Sequence, residues 1–144
     1  MIWGFTQTHL NGTGCMDLGD ILVMPVTGNR VRPWDAYRSH FSKDKESATP
    51  GYYTVELSDS QVKAELTASV HTALHRYTYN KADSASVLID LQHGPAWNED
   101  QYHSQVKKCE VNWEDAQTLT GHVNNAVWVN QDYFFVMKFS RPVV

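Results

Sequence analysis

Cysteine, helical periodicity and positive charge are all scarce in this 144-residue chain. Its two cysteines, Cys15 and Cys109, lie far apart with no CxxC motif. They could pair or stay free, and they do not fix a redox compartment. No window holds apolar residues at i, i+3, i+4 and i+7 over three turns, so a helical bundle is excluded. No apolar run approaches the ~20 residues that span a bilayer, which argues against a membrane partner. The opening MIWGFTQTHL lacks the basic start and apolar block of a secretory signal. With 16 acidic and 12 basic residues the formal charge is −4, and no basic run or stripe is present. That argues against a nucleic-acid partner. Repeats and low-complexity tracts are missing too.

Aromatic residues are plentiful, at 12% of the chain with five Trp. Such a composition suits a β-rich domain or one that grips sugars. Read in order, residues 21–26 form a strand, and residues 27–50 a long polar loop. Residues 51–57 (GYYTVEL) form the next strand, closed by a turn at Ser58-Asp59-Ser60. From Val62 the alternation is clean. Val62, Ala64, Leu66, Ala68 and Val70 face the core, while Lys63, Glu65, Thr67 and Ser69 face water. Residues 71–79 continue as a strand, and residues 86–92 are expected to pair back on it. After an irregular stretch over 93–104, strands follow at 105–113, 118–122, 126–129 and 132–140. In the last, Tyr133, Phe135, Met137 and Phe139 share one face. About eight short strands separated by turns imply an all-β, antiparallel β-sandwich in a single domain.

Residues 4–20, GFTQTHLNGTGCMDLGD, are too polar and glycine-rich for the interior of an element. Gly12 and Gly14 bracket Thr13, which permits positive φ or close approach of the backbone. A tight loop carrying Thr8, His9, Asn11 and Thr13 on a strand scaffold has the make-up of a ligand-facing loop. Taken alone, such a loop is more often a surface turn ahead of a strand.

Other constellations weigh less. His71 and His75 form an HxxxH pair, but in a strand four residues span about 13 Å, too far to share one zinc. They read as ordinary strand histidines among Tyr77 and Tyr79. Gly12-Thr13-Gly14 lacks the third glycine and the βαβ context of a dinucleotide site. Asn11-Gly12-Thr13 matches the N-glycosylation acceptor pattern, which is common by chance. No pair of opposed carboxylates of the kind a glycosidase needs is evident among Glu56, Glu65, Asp90, Glu99, Asp100, Glu110, Glu114 and Asp115. Trp34, Trp97, Trp113 and Trp128 could stack on sugars, though core packing is the commoner role.

Three separated stretches nevertheless carry a resemblance. GFTQTHLNGTGCMDLGDILVMPVTG (residues 4–28), HFSKDKESATPGYYTVEL (40–57) and VKAELTASVHTALHRYTY (62–79), followed by VLIDLQHG (87–94) and the pattern around residues 134–142, resemble the N-terminal domain of glycoside hydrolase family 92. The family comprises calcium-dependent exo-α-mannosidases. The resemblance implies a sandwich of the galactose-mutarotase-like, supersandwich type, packed in the full enzyme against an (α/α)₆ barrel. It further implies an inverting mechanism on mannose-containing glycans, with the catalytic carboxylates and the calcium ligands on the barrel. No catalytic or metal residue is therefore assigned here. Thr8, His9, Asn11 and Thr13 are carried over as substrate-binding residues of the pocket loop. Family members have further strands before the segment matching Ile2-Trp3-Gly4, so the sandwich is expected to lack its first strands. Export to the periplasm or the extracellular space is implied as well. The barrel surface is expected to face residues 27–50 and 93–104, and the isolated chain to self-associate. A different class remains open: a free-standing β-sandwich module that binds carbohydrate through exposed aromatics.

Overall fold

A computed structural model describes residues 1–8, 21–28, 37–80, 85–93, 106–126 and 129–143. The architecture is all-β, with antiparallel sheets of the sandwich class and a single 3₁₀ turn at Lys43–Lys45 among the described residues. Nine strands are described: β1 (Leu22–Thr27), β2 (Glu46–Thr49), β3 (Tyr52–Leu57), β4 (Val62–Ala68), β5 (Ala73–Tyr79), β6 (Ala85–Asp90), β7 (Val106–Trp113), β8 (Thr118–Ala126) and β9 (Asn130–Lys138). They form three sheets, in the orders β1-β6, β2-β3-β4-β5 and β7-β8-β9. The chain divides into two compact units. One comprises Met1–Phe5 with Val23–Ile89, the other Thr6–Leu22 with Asp90–Val144.

In the first unit β1 is apolar along nearly its whole length and is buried on both faces. The four-stranded meander is set by its turns. Pro50-Gly51 closes β2 onto β3, with Thr49 opposite Tyr52 and Gly51 at φ +79°. Proline pre-sets the first corner of such a turn and glycine tolerates the positive φ of the second. Register then places Val55, Ala64 and Tyr77 side by side, as it does Leu57, Val62 and Tyr79. Val55, Leu57, Val62 and Ala64 are no more than 1% exposed, so this face is the core.

Three expectations from the sequence are corrected here. Residues 46–49 are strand, not loop, because the Pro-Gly corner folds them back on β3. Strand β6 pairs with β1 rather than with β5. The alternation of β4 also fades toward its end. Ala68 is exposed, Val70 lies past the strand at 89% exposure, and Glu65, expected in water, is 8% exposed.

In the second unit β8 is central and runs unbroken through the 118–122 strand and on to Ala126. Leu119 and Val123 are its buried apolar anchors. Tyr133, Phe135 and Met137 of β9 lie on the same side and are half-buried, as their spacing predicts. Gly121 sits directly opposite Phe135, whose ring covers the missing side chain. A Cβ at Gly121 would fall 2.2 Å from the Phe135 Cζ and 2.9 Å from the Glu110 carbonyl oxygen. Glycine is therefore required by close approach, with the aromatic ring filling the space across the strands. Gly121→Ala is expected to destabilise the chain by about 1–3 kcal/mol through overpacking, and Phe135→Leu to recover part of that loss. Denaturant unfolding of both single variants and the double variant measures the coupling.

Candidate functional site

The pocket loop expected from the sequence begins on a well-tied strap. Ile2 exchanges two backbone hydrogen bonds with Ser39, both 2.8 Å, and Phe5 exchanges two with Val23, both 2.9 Å. The second bridge clamps the entry and exit of residues 6–22, so the loop is closed at its stem on strand β1. Ile21, at the exit, has φ +58°. A β-branched residue rarely takes that conformation, and its 3% exposure indicates that packing holds it there.

Phe5 reaches this position with a hydrophobic seat. Its ring lies edge-on to Tyr53 (centroids 6.4 Å) and His75 (6.1 Å) and is stacked on Tyr77 (6.5 Å). The His75 Nδ1 and the Tyr77 hydroxyl are 2.7 Å apart. Burial pushes the His75 pKa down and the Tyr77 pKa up, so the pair is neutral and serves as packing with a satisfied polar edge. This is the core role expected for His75, whereas His71 lies exposed ahead of β5. Tyr53 donates to Glu46 at 2.8 Å, and Tyr79 donates to the Ser86 carbonyl at 2.6 Å.

Of the four residues assigned to substrate, Thr8 is described: it is half-buried and engaged in contacts. His9, Asn11 and Thr13 lie outside the described residues, as do Trp34, Trp97, Trp128, Glu99 and Asp100. Selecting only polar side chains missed Phe5, although it stands inside the same motif. Its signal was an aromatic residue just before the polar run, the usual place for an anchor.

Near the strap, His40 turns both its backbone N–H and its ring Nδ1 to one Asp59 carboxylate oxygen, each at 2.9 Å. The Ser39 hydroxyl donates to the His40 carbonyl and accepts from the Asp59 amide. That hydroxyl is fully engaged with backbone, so the three residues form a structural knot and not a nucleophilic triad. Arg38 stacks over Trp3 at 5.4 Å from the ring centroid. The adjoining cleft, lined by Val26, Tyr37, Ser39 and Ser60, has a volume of about 20 Å³. That is room for about one water, not for a sugar.

The electrostatics point the same way. Every described carboxyl group whose pKa is displaced is displaced downward, so none of them is held protonated for general acid work. Glu65 is the clearest case. Arg76 grips it through Nε at 2.9 Å and Nη2 at 2.7 Å, Tyr52 donates to it at 2.6 Å, and its pKa falls to about 2. Among the described residues no three His, Cys, Asp or Glu side chains come together as a metal site. Trp113, expected in the core, is 52% exposed and leans on Phe139. Cys109 is a free, exposed thiol.

Comparison with known proteins completes the picture. The model of the glycosyl hydrolase family 92 N-terminal domain matches residues 1–144. Two structures of the family GH92 alpha-mannosidase BT3965 from Bacteroides thetaiotaomicron, one in complex with mannoimidazole, match with a TM-score of 0.83 and 36% identity. Each match covers 97% of this chain and 19% of the solved chain, so the chain spans about a fifth of the length of these relatives. No curated protein matches it.

Two outcomes follow from this geometry. Glu65 has its pKa lowered in the fold, so its contribution is complete above the ordinary value near 4.5 and is lost as pH falls toward about 2. Thermal melting between pH 6 and pH 2 is expected to show that loss, and Glu65→Gln to flatten it. Phe5→Ala is expected to cost about 2–3 kcal/mol and to open residues 6–22 to limited proteolysis. An unchanged cleavage pattern would mean that the stem does not depend on this ring.

Proposed function

The chain belongs to glycoside hydrolase family 92, and from that premise we propose that it is the N-terminal domain of an enzyme that hydrolyses α-mannosidic linkages of glycans. The observation that carries this reading is 36% identity to an α-mannosidase over 97% of the chain. In the full enzyme this domain is a single β-sandwich that packs against a C-terminal (α/α)₆ barrel and shapes one wall of the substrate pocket. Residues 8–13 provide that wall. The hydroxyls of Thr8 and Thr13 and the amide of Asn11 suit the alternating donors and acceptors of a pyranose, and His9 offers a ring nitrogen to the same end.

The reaction proceeds with inversion. One carboxylic acid protonates the leaving oxygen while a carboxylate opposite it activates water. Both belong to the barrel domain, which accords with the downward pKa displacements of the described carboxyl groups here. Calcium, when bound in the full enzyme, supplies charge that favours distortion of the mannose ring. In this reading its ligands, like the catalytic carboxylates, come from the barrel domain. The role of this chain is to bind and orient the sugar and to exclude water from one side. The enzyme is exported, where mannose-rich glycans are met.

The chain alone is expected to give no turnover of an aryl α-mannoside, with or without calcium; steady turnover would overturn the division of labour. In the full enzyme, His9→Ala is expected to weaken use of a mannobioside by about 0.5–1.5 kcal/mol in kcat/KM, and use of a mannoside with a small leaving group less. Equal loss on both substrates would assign His9 to folding.

A further inference from the structure

Among the described residues, two that are not glycine carry a positive φ: Ile21 at +58° and Gln61 at +52°. Gln61 is exposed in the turn that joins β3 to β4, where such a torsion is ordinary. Ile21 differs in each respect. It stands immediately before β1, its side chain is buried, and its branched Cβ makes the left-handed region costly. Gly, Asn or Asp would take the same bend with less strain. Strain of this kind persists only where the surroundings over-determine it, and such positions cluster at functional sites.

The surroundings act here through simple geometry. Leu22, Val23 and Met24 follow Ile21 and are buried, and Val23 is bonded to Phe5 through both its N–H and its carbonyl. The carbonyl side of Ile21 is thus clamped one residue away, and its side chain is seated by burial. With those two substituents of Cα fixed, chirality fixes the third, the backbone nitrogen. The chain before Ile21 must leave from that point, and it does so at a φ that a β-branched residue avoids. Local preference therefore does not choose this direction. Glycine could take the same bend and could equally leave it, because it has no Cβ to seat and visits both signs of φ.

We propose that Ile21 is a positioning residue: its seated side chain and left-handed bend fix how the 6–22 loop enters β1, and so set the placement of residues 8–13 against the sugar. The inference rests on the reading of that loop given above. Its cost to catalysis falls on binding. A loop competent for only a fraction of the time weakens apparent affinity by that fraction, whereas saturating substrate selects the competent arrangement and leaves kcat in place.

Ile21→Val, Ile21→Ala and Ile21→Gly in the full-length enzyme test the assignment. Valine keeps a branched, seated body and is expected to match the parent. Ile21→Gly is expected to exchange the amides of residues 6–22 about tenfold faster or more, with those of β4 unchanged. Its KM for a mannobioside is expected to rise about fivefold, with kcat held within about twofold. Ile21→Gly is also expected to melt no lower than Ile21→Ala, since alanine carries a Cβ into the left-handed region and glycine does not. Leu57→Ala, a truncation in the core of the meander, is expected to lower the melting temperature without moving KM. Unchanged exchange over residues 6–22 in Ile21→Gly overturns the proposal, as does an equal rise in KM in Leu57→Ala. So does Ile21→Ala melting above Ile21→Gly. Failure of both to fold would make Ile21 a core residue only, which overturns it too. A parent enzyme that leaves the mannobioside intact fails the functional reading alone, because exchange and melting still decide the role of Ile21.

Discussion

Strand β1 is buried on both faces, so its backbone N–H and C=O groups have no water to turn to and must be bonded by neighbouring chain. Strand β6 supplies part of that pairing, and Phe5 adds two bonds to Val23. The requirement has a consequence for function. The residue that bridges to β1 is also the residue from which the 6–22 loop departs, and β1 is the strand to which it returns. The loop proposed to face substrate is thereby tied at its stem to a buried strand. The Phe5 ring, seated against Tyr53, His75 and Tyr77, ties that junction to the four-stranded meander.

The two faces of that meander solve different problems. One is dry and aliphatic around Val55, Leu57, Val62 and Ala64. The other would normally be left to water, yet it holds Glu65 nearly buried between Arg76 and Tyr52. A carboxylate so fixed is a structural charge and cannot act as a proton donor near neutral pH. The second unit follows another logic. Its three-stranded sheet pairs several of its charges locally and leaves Phe134 and Val136 in solvent.

The all-β class and most strand positions were legible because the alternation is strong where one face is dry. Tyr133, Phe135 and Met137 are the clearest instance, and β9 lies where they put it. Strand β2 was hidden because its four residues carry no apolar alternation; only the Pro50-Gly51 corner betrays it. The pairing of β6 with β1 joins segments some sixty residues apart, and alternation along one strand says nothing about its partner. Glu65 was misread because period two assigns a face but not whether neighbours such as Arg76 and Tyr52 fold over a carboxylate and cover it. Trp113 was misread for the converse reason, since a large aromatic at a core-facing register still needs something packed above it. Of the candidate site, Thr8 is described, while His9, Asn11 and Thr13 rest on the motif. Phe5 was within reach all along, because an aromatic residue that precedes a polar loop is a natural stem anchor.

The central claim is that the loop closed by the Phe5–Val23 bridge faces the sugar. A crystal structure of the full-length enzyme with a non-hydrolysable α-mannoside tests it most directly. The account predicts at least one polar atom of Thr8, His9, Asn11 or Thr13 within hydrogen-bond distance, roughly 2.7–3.2 Å, of a sugar hydroxyl. A fully occupied mannoside that touches none of these four residues would contradict it.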